Sequence, residues 1–531
     1  MLISALLALP VAGIVLSWLG FNAAAAEVLL HQWRTVLPDY ALQSLLLLLG
    51  VGVGTALMGV GAAAAVTLFA FPGRRIFEWA LLLPLAMPAY VLAYAYTDAL
   101  QFSGPVQTAL RESLGLKGAL WPDVRSLWGA IVLFVLCLYP YVYLLTKAAL
   151  GERAVQLMEA ARLLGADFER RLLHVALPLA RPAVMAGVAL ALMETLADYG
   201  VGAYFGLSTF TTGIYRAWLS MNEPVAAAQL ASMLLLVIAV LLALERRAQA
   251  RMRFGTSRQG ATHATDAQPV RLKGIAAATA FALCAIPVLA GFALPAAWLG
   301  VMLWREATLG EAGLPLDRFA QWAWSSFRLA GLTAVLATAL ALALGFALRR
   351  QGTWMDNALR GCARLLSLGY AVPGAVVAIG ILLPIGWVQA RWPDSGFGTL
   401  LTGSVLGVVI AYLVRFSAVA LQTLEAGYAR LPNSVDETAR MLGAGPTRLF
   451  LRLHLPLIRR SALAAALLVF VDTMKELPAT LVLRPFGSDT LAVVAYNLAR
   501  DERLAEAALP SLAIVAVGLL PVMLLARAMR Q

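Results

Sequence analysis

Charge is scarce in this 531-residue chain: Asp, Glu, Lys and Arg make up 13% of it against 61% hydrophobic residues, and mean hydropathy is +0.80. Soluble domains carry about 25% charged residues, so composition excludes a soluble multidomain protein. Cysteine is scarce too, with three in all. Cys137 and Cys284 fall inside apolar runs and Cys362 in a basic stretch, without the paired spacing of a disulfide framework or a structural metal. The chain also lacks G-x-x-x-x-G-K-[ST], which excludes a phosphate-cradling P-loop and with it a nucleotide hydrolase of that class. No acid, base and metal-ligand set gathers near one end of the apolar runs, as a membrane-embedded enzyme would need.

What the chain does have is apolar length. A helix needs about 20 apolar residues to cross a bilayer, and twelve runs of that order occur, near 2–19, 42–69, 76–97, 127–146, 182–207, 226–244, 275–301, 329–348, 366–388, 399–420, 461–482 and 508–526. With the N-terminus inside, the cytoplasmic loops hold 27 of the 41 Lys and Arg, as the positive-inside rule requires. Both termini are then cytoplasmic. The net charge of +12 sits on those loops, where orientation and anionic lipid account for it, so no nucleic acid is expected. Asn22-Ala-Ala-Ala-Ala26 has the look of a signal-peptidase site, but no basic residue precedes the apolar run, and a retained helix is expected.

The chain repeats itself. Residues 159–198 align with 437–476 at an offset of 278 without a gap, with 15 identities in 40 positions, among them Glu159/Glu437, Arg162/Arg440, Gly165/Gly443, Leu177/Leu455 and Pro178/Pro456. The polar, Gly/Ser/Thr-containing stretch 251–272 reads as a cytoplasmic linker between halves 1–250 and 273–531. Six spans per half give both the same orientation, hence parallel repeats about an axis along the membrane normal, with a pathway expected between them. The fold class is all-α, about twelve transmembrane helices in two six-helix repeats.

Each half carries the same cytoplasmic loop, near 152–180 and 430–460. The first reads Glu159-Ala160-Ala161-Arg-Leu-Leu-Gly165-Ala, the second Glu437-Thr-Ala439-Arg-Met-Leu-Gly443-Ala, and Leu177-Pro178 and Leu455-Pro456 follow at one interval. Ala154, Leu157, Met158, Ala161 and Leu164 recur at helical spacing, Ser434-Val-Asp-Glu437 reads as a capping box, and Gly165 and Gly443 suit a helix C-cap. A short helix, a turn and a second helix are expected, the first offering an apolar face to a soluble partner. These loops resemble the EAA loop of ABC-importer permeases. The resemblance implies type I (MetI-like) architecture and docking of the loops on two copies of a separate ABC ATPase, which holds the ATP and Mg; this chain binds no cofactor. It further implies that Glu159, Ala160, Ala161, Gly165, Glu437, Ala439 and Gly443 pass ATPase closure to the membrane helices, and that a periplasmic or tethered binding protein delivers substrate at a bacterial inner membrane. Thr438 departs from the family's alanine.

Carboxylates lie deep in two runs: Glu194 and Asp198 in 182–207, Asp472 and Glu476 in 461–482, with Lys475 beside the last. On a continuous helix the i, i+4 spacing puts each pair on one face, and Glu194 and Asp472 fall roughly 16–20 Å beyond the cytoplasmic start of their spans. A translocation pathway is the expected role, with Lys475 or Thr195/Thr473 pairing as the structural alternative. Residues 194–205, 209–216 and 472–487 resemble the fused ferric-iron permease family, which implies Fe³⁺ as substrate, a hard cation suited to oxygen donors, in transit and without a stable metal site. Thiamine or another small solute is the alternative cargo, and an ion-coupled secondary transporter the alternative class, though that class has no need of two matched cytoplasmic loops. His174 and His454 stand at non-equivalent places and are expected at interfaces, not on a metal. Pro88 and Pro373 are expected to kink the third span of each half.

Overall fold

The structure, a computed structural model, describes residues 10–15, 17–20, 23–151, 155–253, 269–310, 313–349, 356–429 and 431–528. Apart from two paired dipeptides, Phe69–Ala70 and Val270–Arg271, its regular elements are helical. Ten described helices are long and apolar enough to cross a membrane, eleven if one bent pair is taken as a single span. They fall on the expected runs, while half of the first run, 2–19, lies outside the described residues.

Eight helices carry the argument. In the first half these are α1 (Leu37–Leu68), α2 (Leu127–Ala149), α3 (Val155–Leu163) and α4 (Leu177–Ala197); in the second, α5 (Leu316–Arg349), α6 (Leu406–Tyr428), α7 (Asn433–Met441) and α8 (Leu455–Met474). The chain forms two compact units that cut across the sequence halves. One gathers Met1–Gln32, Ile214–Ser232 and Pro315–Val494; the other Trp33–Gly213, Met233–Leu314 and Ala495–Gln531. Each half thus lends outer segments to the other half's core: Tyr215 OH donates to Pro478 O in the first unit, and Tyr96 OH donates to Ala290 O at 2.6 Å in the second.

Each unit is built on a tight three-helix core. Where α1 and α4 meet α2, a Cβ on Gly59 would stand 2.6 Å from Val142 Cβ, and one on Gly187 would stand 2.7 Å from Val142 Cα. Only glycine permits that approach, and in lipid such close van der Waals packing replaces the hydrophobic drive. The positions 278 residues on, Ala337, Ala420 and Ala465, are fully buried on α5, α6 and α8. The repeat read in the loops therefore extends to helix packing.

Two expectations about span continuity are corrected. At Met87-Pro88 the third span does not kink but breaks, with a 90° bend between Arg74–Ala86 and Ala89–Leu114. Pro88 (φ −59°, ψ 142°) and Pro373 (φ −58°, ψ 143°) adopt one conformation and each starts a new helix, since an extended ψ cannot continue the old one. The run 182–207 likewise stops being one helix at Ala197, and 461–482 stops at Met474.

Candidate functional site

The two repeated loops end their first helices identically. After α3, Gly165 N donates to Arg162 O at 2.9 Å and Ala166 N to Ala161 O at 3.0 Å; after α7, Gly443 N donates to Arg440 O at 2.9 Å and Ala444 N to Ala439 O at 3.0 Å. These are the two bonds of a Schellman cap, and they require the left-handed φ of +83° at Gly165 and +80° at Gly443. A Cβ would meet nothing within 4 Å at either glycine, so the requirement is for backbone conformation alone. The capping box expected at Ser434 does not form. Pro432 is the N-cap, the helix starts at Asn433, and Ser434 is already inside it, its carbonyl accepting from Thr438 Oγ1 at 2.8 Å.

The Leu-Pro pairs explain the next feature. A π turn, Leu172–Ala176 or Leu449–His454, directly precedes α4 and α8, and Pro178 and Pro456 are the second residues of those helices. Proline collides with the carbonyl four residues back, which here belongs to His174 or Arg452, inside the widened turn. The π turn absorbs the clash while the helix continues into the membrane.

At the tips, Leu163, Leu164, Met441 and Leu442 are 82–88% exposed. Each loop thus presents a pair of adjacent apolar side chains at its surface. Ala160, Gly165, Glu437 and Gly443 are also exposed, and Ala161 and Ala439 half-buried; Glu159's side chain is outside the described set. Of the helix-spaced apolar residues, Leu157 is exposed and Met158 buried, and Ala154 lies outside the described residues.

Behind the second tip lies a charged cluster that sequence reasoning missed. Asp436 on α7 accepts from Arg349 Nε at 2.6 Å and from His454 Nε2 at 2.9 Å. Arg349, the last residue of α5, also donates to the carbonyls of Tyr428, Leu431 and Pro432 at 2.9–3.1 Å. His454, 1% exposed, packs against Phe346 and Tyr428. Burial raises the Asp436 carboxyl pKa, but hydrogen bonds from Arg349 and His454 outweigh this and hold it below the usual value. A depressed pKa stabilises above the ordinary carboxylate value, and that contribution is lost as pH falls through the lowered one. Hydrogen-exchange protection of residues 433–441 should therefore hold from neutral pH to about pH 4 and drop only below it; a drop between pH 7 and 5 would contradict this assignment.

The membrane carboxylates are arranged differently from the i, i+4 expectation. Glu194 and Asp472 lie on α4 and α8, half-buried, and Lys475 Nζ is 2.8 Å from Asp472 Oδ1. Asp198 and Glu476 lie past the helix ends and cap the next short helices, so neither pair shares one helical face. Asp198 Oδ1 accepts from Val201 N at 2.8 Å. Glu476, 4% exposed, accepts from Ala479 N, Thr480 N and Thr480 Oγ1, and from Arg415 Nη1 at 2.9 Å. A lone arginine inside an apolar run was the signal for that pair, because a buried guanidinium needs a carboxylate. Among the described residues no three His, Cys, Asp or Glu side chains gather to hold a metal ion. Elsewhere Arg125 grips Glu502 with both terminal nitrogens, at 2.7 and 2.9 Å.

Comparison with known proteins agrees with the duplication. The family described as binding-protein-dependent transport system inner membrane component matches residues 55–254 and again 336–531. The Fe(3+)-transport system permease protein FbpB 2 of Haemophilus influenzae is 27% identical over 466 residues, covering 86% of this chain and 83% of that protein. The ferric transport system permease protein FbpB of Actinobacillus pleuropneumoniae is 23% identical over 79% of this chain and 61% of its own length. A putative 2-aminoethylphosphonate transport system permease protein, PhnV of Salmonella typhimurium, is 29% identical over 33% of this chain and 66% of its own length. With two family matches that coincide with the two loop-bearing repeats, this multi-pass membrane chain belongs to the binding-protein-dependent transport system inner membrane component family.

Proposed function

We propose that the chain is the permease of an ABC importer that carries ferric iron into the cytoplasm. The observation that carries the coupling reading is the duplicated loop helix, closed by the same Schellman cap in both halves and tipped by Leu163-Leu164 and Met441-Leu442. Each tip offers a small apolar knob of the kind that seats in a groove on a soluble partner. Two copies of a cytoplasmic ATPase would dock there, holding ATP and Mg, while a binding protein unloads on the outer side. This chain then hydrolyses nothing and binds no cofactor. Halves 1–250 and 273–531, joined by 251–272, keep both termini cytoplasmic. ATPase closure moves the loop helices and shifts a two-state permease between inward and outward access.

Iron is favoured because the relatives named for Fe(3+) or ferric transport match most of this chain, whereas the phosphonate relative matches a third of it. Half-buried Glu194 and Asp472, with Asp198, supply hard oxygen donors for a transiting Fe³⁺. Glu476, closed off by Arg415, is assigned to the fold, and Lys475 to its partner Asp472.

The test is radiolabelled ferric-iron uptake in cells lacking the gene, restored with wild-type chain or with the Glu194→Gln/Asp472→Asn double variant at equal membrane level. Restoration by wild type and a loss of about tenfold or more in the variant is expected. Equal restoration by both removes the carboxylates from the path; failure of both removes iron and turns the search to 2-aminoethylphosphonate, thiamine and other small solutes.

A further inference from the structure

The charged cluster behind the second loop has an apolar counterpart. At the offset of 278, Arg349, Asp436 and His454 correspond to Phe71, Met158 and Ala176. These three are 8%, 6% and 0% exposed and belong to one buried apolar cluster in the first half. The positions that are charged behind the second loop are thus apolar and buried in the first half.

The two sets of contacts differ in kind. In the second half a single carboxylate ties α7 to the end of α5 through Arg349 and to the π turn before α8 through His454. Arg349 also holds the carbonyls that end α6 and lead into α7. Charge-assisted hydrogen bonds are short and directional, so α7 cannot shift without carrying those elements with it. Among the described contacts, those around Met158 are apolar, and apolar contacts by themselves fix no direction.

Resting on the coupling reading above, we propose that Arg349, Asp436 and His454 are positioning residues that make the second loop a rigid transmitter of ATPase motion. Charge, and not mere filling of space, is what the second joint requires.

The decisive experiment reconstitutes the whole complex in lipid vesicles and measures ATPase activity with and without loaded binding protein. The variant carries the first half's residues at these positions: Arg349→Phe, Asp436→Met and His454→Ala together. Apolar replacement of a buried ion pair is commonly neutral or stabilising, so this protein should assemble at wild-type level. The expected result is a stimulated-to-basal ratio lowered about tenfold, within the usual range of coupling between sites. A wild-type ratio would overturn the proposal. If the triple variant does not assemble, His454→Gln, which keeps a donor to Asp436, is compared with His454→Leu, which does not. A normal ratio for Gln and a lowered one for Leu supports the latch; equal ratios overturn it. Gly443→Pro runs alongside: an unaffected ratio there overturns the coupling reading itself, separately from the latch.

Discussion

Uptake is expected to be lost in a Gly165→Pro/Gly443→Pro double variant that still inserts at wild-type level. Both glycines sit near φ +80° and donate their N–H to a carbonyl at 2.9 Å. Proline is locked near φ −65° and has no N–H, so each cap must open and the turn after α3 or α7 must change direction. The exposed pairs at residues 163–164 and 441–442 would then be presented at the wrong angle to a partner. Alanine is a graded control: with open space around each glycine it costs only the left-handed conformation, about 1–2 kcal/mol. Uptake should therefore fall in the order glycine, alanine, proline. Intact uptake and intact ATPase stimulation in the proline variant would show that these loops do not couple.

Arg415→Met is expected to be the most damaging single change to the fold. It leaves Glu476 buried with its carboxylate uncompensated, which costs about 3–5 kcal/mol when one partner of a buried ion pair is removed. The Arg415→Met/Glu476→Gln double variant removes the stranded charge and keeps a carbonyl acceptor for one of Ala479 N and Thr480 N, so it should be more stable than Arg415→Met alone. Thermal unfolding of the detergent-solubilised proteins, with membrane abundance, reads the order. If Arg415→Met unfolds with the wild type, the pair contributes nothing.

The loops were legible because they use local rules: a glycine after a helix-spaced run, a proline before an apolar span, and the same spacing twice. The contacts behind them were not. Asp436 reads locally as part of a capping box, and only the fold brings it to Arg349, 87 residues earlier. Arg415 meets Glu476 across 61 residues in the same way. The helix breaks at Asp198 and Glu476 were hidden for another reason. Apolar stretches on both sides of residues 197–200 and 475–478 make each run read as one span, whereas the backbone follows the carboxylates, which leave the helix to cap the next one. The exchange of outer helices between the two units was also invisible, since nothing local distinguishes a helix packing on its own half from one packing on the other.

The central claim is that ATP hydrolysed by a partner drives iron through this chain. The most direct measurement is ferric-iron accumulation in vesicles holding the chain and its ATPase, with loaded binding protein on the outer side and ATP sealed inside. The account predicts accumulation that requires both ATP and the binding protein, and that is unaffected when proton and sodium gradients are collapsed. Accumulation driven by such a gradient without ATP would contradict it and make the protein an ion-coupled carrier.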